Sequence, residues 1–175
     1  MAIVAVQLHG MARRMDSPDE PAMFSGSLAL EEVKDKKNLL EGSDLPHALQ
    51  EFLGELNIKV DAILNAMTKE TAQNDFPIKI KIHYLSGSGL ILSSAEPIKP
   101  GEHLEIIIML GQMPMIMVTA IGQVIKAVKI PGDKTGFSVQ FIRIRTDHQD
   151  TLIQYVFQEE RRQIREKKDR EIKHR

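Results

Sequence analysis

The sequence predicts a mainly β protein, a small antiparallel β-barrel with one helix before it and a longer helix after it. Three observations lead there. From Ile78 the apolar residues alternate with polar ones: Ile78, Ile80 and Ile82 against Lys79, Lys81 and His83, the period of a half-buried strand. Tight glycine and proline turns follow at 86–89, 97–101, 111–114 and 131–133 with no helical stretch between them, which favours antiparallel pairing. Residues 78–144 are also too apolar on both faces for a flat sheet with one wet side. Closure into a barrel buries one face and removes open edges.

Residues 1–42 form a poorly structured N-terminal segment in this reading. Asp16-Ser-Pro-Asp-Glu-Pro21 and Phe24-Ser-Gly-Ser27 are turn or linker chemistry, and 34–37 is a solvated charge cluster. A short element around 28–40 is not forced. The apolar start lacks a basic flank and runs only to Gln7, short of a secretory core of about 7–15 residues.

An amphipathic helix spans 43–70. Ser43 or Asp44 can cap it, and Pro46 fits its first turn. Leu49, Leu53, Leu56, Val60, Ile63 and Met67 recur at alternating steps of four and three, the pattern of a helix laid against another helix. Two readings stand: a helix packed on its own domain, or a seam between copies of the chain.

The barrel with its closing helix occupies 76–158. After the first strand come Leu90-Ile-Leu92, then 103–110, then the long run 116–128 with Gly122 as a bend or bulge. Phe137, Val139 and Phe141 face inward from the last strand. Thr146-x-x-Gln149 reads as a capping box opening the final helix, whose Leu152, Ile153, Val156 and Phe157 cover the barrel. Residues 159–175 are a charged helical tail with pairs such as Glu166 and Arg170.

Composition narrows the function. With 42% apolar and 27% charged residues, wholesale disorder is excluded. Lys and Arg number 23 against 24 Asp and Glu, so no global field draws nucleic acid or an anionic membrane. The absence of cysteine removes disulfides, thiolate zinc sites and a Cys nucleophile, and agrees with a cytoplasmic location. Six scattered histidines show no metal-ligand spacing, no nucleophile elbow joins a strand to a helix, and no apolar run reaches membrane-spanning length. The expectation is a non-enzymatic module without cofactor or metal.

The turn Tyr84-Leu85-Ser86-Gly87-Ser88-Gly89 places a hydroxyl and several unencumbered amides where two strands reverse. Such a turn can meet a phosphate oxygen or the edge of a planar base, because glycine permits close approach. It also serves simply to reverse the chain. Together with Pro100-Gly101-Glu102-His103-Leu104, Gly122-Gln-Val124 and the closing helix, it resembles the PilZ domain, whose second signature is Asp/Asn-x-Ser-x-x-Gly. The resemblance covers roughly residues 77–165, and the helix ahead of the barrel is similar to that of PilZ variants carrying a helix just before the barrel, some of which associate through helices.

The resemblance implies a six-stranded barrel and a bacterial signalling module that binds cyclic di-GMP and relays it to a protein partner. It implies ligand contacts from Ser86, Gly87, Ser88 and Gly89, with Tyr84 standing where the family has Asp or Asn. The family's Arg-x-x-x-Arg segment, which grips phosphates and guanine edges with bidentate bonds, has no counterpart before the turn. Lys81 is the nearest cation on the preceding strand. The alternative expectation is a ligand-independent oligomeric adaptor built on the 49–67 seam.

Overall fold

The computed structural model describes residues 2–24, 44–112 and 115–173. Its elements run β1 (Val4–Met15), α1 (His47–Asp75), β2 (Ile78–Leu85), β3 (Gly89–Ser94), β4 (His103–Gln112), β5 (Met115–Ile130), β6 (Lys134–Ile144) and α2 (Thr146–Lys173). The strands close a barrel in the order β1-β2-β3-β6-β5-β4, with every neighbouring pair antiparallel. The predicted six-stranded antiparallel barrel and both helices are therefore present, the first helix standing between β1 and β2 and ahead of the other five strands.

Alternation within each strand builds the core. Ile78, Ile80 and Ile82 of β2 point inward beside Leu104, Ile106 and Ile108 of β4 and Val118 of β5, all nearly inaccessible to solvent. From α2, Leu152 and Val156 insert into the same core, so the helix closes the barrel. Phe157, expected on that face, is about half exposed instead, at 51%.

One boundary needs correcting. The expectation of a poorly structured 1–42 segment misses β1, which pairs with both β2 and β4 and so closes the barrel. Two features hide it from a pattern search. A register shift between Ala5 and Leu8 breaks the period of two. At Gly10–Ala12 both faces are buried, Ala12 inward and Met11 outward, so polar alternation is lost in the middle of the strand. The expectation for 28–40 lies outside the described residues.

α1 also differs at its ends. It begins at His47 with Pro46 at the cap position and no side-chain capping bond, and Ser43 lies outside the described residues. It runs five residues past the predicted end, through Asp75. Ala72 and Phe76 explain this: they pack with Met11 and Ile107 on the outer face of the barrel, and tertiary contact holds the polar last turn helical. At α2 the Gln149 N–H donates to the Arg145 carbonyl (2.8 Å) rather than to Thr146 as the expected capping box requires.

Candidate functional site

The 86–89 turn joins β2 to β3 as a tight hydrogen-bonded knot. Ser86 N–H donates to the Gly89 carbonyl (2.9 Å). Ser86 Oγ donates to that same carbonyl (3.1 Å) and accepts from the Gly89 and Ser88 amides (3.1 and 3.3 Å). The buried hydroxyl therefore spends its bonding capacity on the turn. Gly89 is required for close approach. A Cβ there would lie 2.4 Å from the Val139 carbonyl of β6. Positive φ among the described glycines occurs at Gly101 and Gly132, so left-handed geometry is not the reason.

Tyr84, Ser86, Ser88 and Gly89 line a cavity of about 350 Å³, with Ile3, Ile125 and Gln140 among its other walls. None of its lining residues carries a charged side chain. Lys81 does not belong to it. That residue lines a separate hollow of about 270 Å³ with Gln7, Leu8, His9 and His83. Thus four of the six residues singled out in the sequence meet at one cavity, Gly87 is buried beside it, and Lys81 is displaced along β2.

The arginines nearest in sequence to the barrel entry are committed elsewhere. Arg13 Nε reaches Glu105 Oε2 at 2.6 Å, and Glu105 is wholly buried. The same carboxylate accepts the Met23 and Phe24 amides (3.1 Å each). It thereby pins residues 23–24 to the barrel and sets the Phe24 ring edge-on to Phe76, with centroids 6.3 Å apart. Arg14 bonds Glu102 and the Pro97 carbonyl. Sequence reading missed Glu105 because it alternates on β4 as an ordinary outward-facing charge. Its partners come from about 80–90 residues away.

The 49–67 seam lies on α1, and most of it is exposed: Leu49 41%, Leu56 46%, Val60 44%, Ile63 60% and Met67 62%. Phe52 (60%) and Leu64 (55%) widen the stripe on either side. Ala72, which anchors the helix on the barrel, lies roughly 140° round the helix from the line through Leu49 and Met67. The seam therefore turns away from the side that the chain itself covers.

A closed six-stranded barrel, plugged by its last helix and carrying a Ser-x-x-Gly turn between the second and third strands, defines the class of small closed antiparallel β-barrels. The PilZ domain model matches residues 63–158, and the chain belongs to the PilZ domain family. Among solved structures, a Xanthomonas campestris pathogenic protein, described as a tetrameric PilZ domain self-assembled via an unusual helical bundle, is 17% identical. The match covers 93% of this chain and 90% of that one at a TM-score of 0.58. The Bacillus subtilis inhibitor of motility (MotI/DgrA) is 22% identical over 50% of this chain and 43% of its own, at 0.43. Escherichia coli YcgR in complex with c-di-GMP is 22% identical over 53% and 39%, at 0.44. No curated protein matches. No helix among the described residues is long and apolar enough to cross a membrane.

Proposed function

We propose that this chain is a PilZ-type signalling adaptor that assembles through α1 and presents its barrels for relay to a protein partner. The carrying observation is the exposed stripe of Leu49, Phe52, Leu56, Val60, Ile63, Leu64 and Met67 on a helix anchored by its opposite side. An apolar face this long is costly in water, at about 25 cal/mol for each Å² left uncovered. A strict two-helix seam needs only the Leu49–Leu53–Leu56 line and its continuation. Phe52 and Leu64 at the flanks broaden it to the face of a helix in a larger bundle. The Xanthomonas campestris protein, alike over 93% of this chain, is described as self-assembling via a helical bundle, which supports the reading.

Light scattering tests it. The wild type should weigh several times its chain mass, and a Leu56→Asp, Ile63→Asp variant should approach one chain with its barrel still folded. A wild-type monomer at high concentration would sink the proposal.

A second reading, cyclic di-GMP binding at the turn, is favoured by Tyr84, Ser86, Ser88 and Gly89 converging on one cavity. Against it stand the engaged Ser86 hydroxyl and the absence of a cation among the cavity's lining residues. Isothermal titration of wild type and Ser86→Ala decides. Heat from the wild type that is lost in the variant supports binding at the turn, and no heat at high micromolar ligand removes it.

A further inference from the structure

The register shift between Ala5 and Leu8 falls opposite His83 and opens the β1–β2 ribbon beside α2. The 270 Å³ hollow at this place shares Gln7, Leu8 and His83 with a larger cleft of about 680 Å³, which reaches Tyr84, Tyr155 and Arg170. Together they form one recess between the ribbon and the C-terminal helix. The larger part alone falls within the roughly 300–1,000 Å³ of small-molecule sites.

The recess has an uneven charge balance. Arg162 on its helical wall is held by Glu159 at 2.7 Å and Glu166 at 2.8 Å, which leaves one negative charge over. Against it stand Lys81 and Arg170, which line the recess, and Lys134, near enough to act on His83. None of these three has an ion-pair partner among the described residues. His9 sits across the strand pair from Lys81 and adds a further basic group. The hydroxyls of Tyr84 and Tyr155 make no hydrogen bond among the described residues. Uncompensated cations gathered around a concavity favour an incoming anion.

We propose that this recess binds a small soluble phosphorylated ligand, its phosphoryl oxygens met by Lys81, Arg170 and the ring nitrogen of His83 that is not engaged by Ser93 (Nε2 to Oγ, 2.7 Å), with Tyr84 and Tyr155 as hydroxyl donors. Arg170 offers a planar fork that matches two phosphoryl oxygens, and Lys81 a mobile point charge. Burial, with Lys81 and Lys134 nearby, holds the His83 pKa below the ordinary histidine value. A bound anion reverses that and draws a proton onto the ring. Burial, reinforced by Glu159, raises the Tyr155 pKa, so its phenol stays a neutral donor. The site is separate from both the α1 stripe and the 86–89 cavity, meeting the latter only at Tyr84.

The experiment is a titration of the full chain with sodium pyrophosphate at constant ionic strength, read by NMR at the His83 ring. Saturable shifts and an upward move of the His83 pKa are expected. A Lys81→Ala, Arg170→Ala variant should bind about tenfold or more weakly, as the loss of charge-assisted hydrogen bonds implies. Ser86→Ala should bind as the wild type does. The proposal is overturned by no saturable shift up to about 10 mM, a range that already admits very weak binding. It is equally overturned by an identical response to matched chloride, by undiminished binding in the double variant, or by loss of binding in Ser86→Ala.

Discussion

The barrel and α1 are built from similar apolar side chains, yet they treat them in opposite ways. Ile106 and Leu152 in the barrel are 0% exposed, whereas Ile63 and Phe52 on the helix are each 60% exposed. In the barrel every strand finds two neighbours within the chain, so burial is completed by folding alone. The helix meets the barrel at its last turn through Ala72 and Phe76, and most of its remaining apolar face is exposed. The contrast separates what the chain does by itself from what the proposed assembly adds. Folding completes the barrel, and in the proposed assembly association completes the helix.

Substitutions break this comparison in a definite order. The largest effect belongs to Glu105→Ala, which leaves Arg13, only 12% exposed, without its buried partner and orphans the Met23 and Phe24 amides. Urea unfolding should show a loss of about 3–5 kcal/mol. The damage should reach α1, because Phe24 no longer rests against Phe76.

Next stands a matched pair. Ile106→Ala opens a cavity in the barrel and should cost about 2–5 kcal/mol of folding stability. Ile63→Ala should leave the barrel's unfolding midpoint unchanged and weaken association, by about tenfold in equilibrium constant. Equal effects of the two on barrel unfolding would erase the distinction.

Glycine-to-alanine changes sharpen it further, because they should differ in sign. At Gly89 the new methyl would stand 2.4 Å from a β6 carbonyl, an overpacking worth about 1–3 kcal/mol of destabilisation. At Gly54 the Cβ would meet nothing within 4 Å, so alanine should strengthen α1 by about 1 kcal/mol. Thermal unfolding followed by circular dichroism reads both.

These contrasts also explain what the sequence could disclose. β2 was legible because one of its faces is wet, so Lys79 and Lys81 alternate with buried isoleucines. β1 was not, because a bulge changes its phase and α1 covers its outer face at Met11. Residues 71–75 fell outside the expected helix because the force keeping them helical comes from Ile107, far away in sequence. The 86–89 turn could be found as a motif, since local hydrogen bonding demands those residues. The recess around His83 was legible only as Lys81 and its neighbours, because α2 supplies the other wall.

The smallest effect is set by pH. The Ser17 and Asp16 amides, which donate to Glu20, hold its pKa below the ordinary glutamate value. Its contribution to holding residues 16–20 is present above that ordinary value. It fades as the pH falls through the depressed one and is gone below it. The amide resonances of Asp16 and Ser17 should follow this titration while those of β2 stay fixed.

The central claim is that α1 is covered by other copies of the chain. Hydrogen exchange of the 175-residue chain across a wide range of concentrations tests it most directly. Protection of the 47–71 amides should rise with protein concentration, while that of the β2 and β4 amides stays constant. Protection of α1 that is the same at every concentration, high or low, would contradict the account.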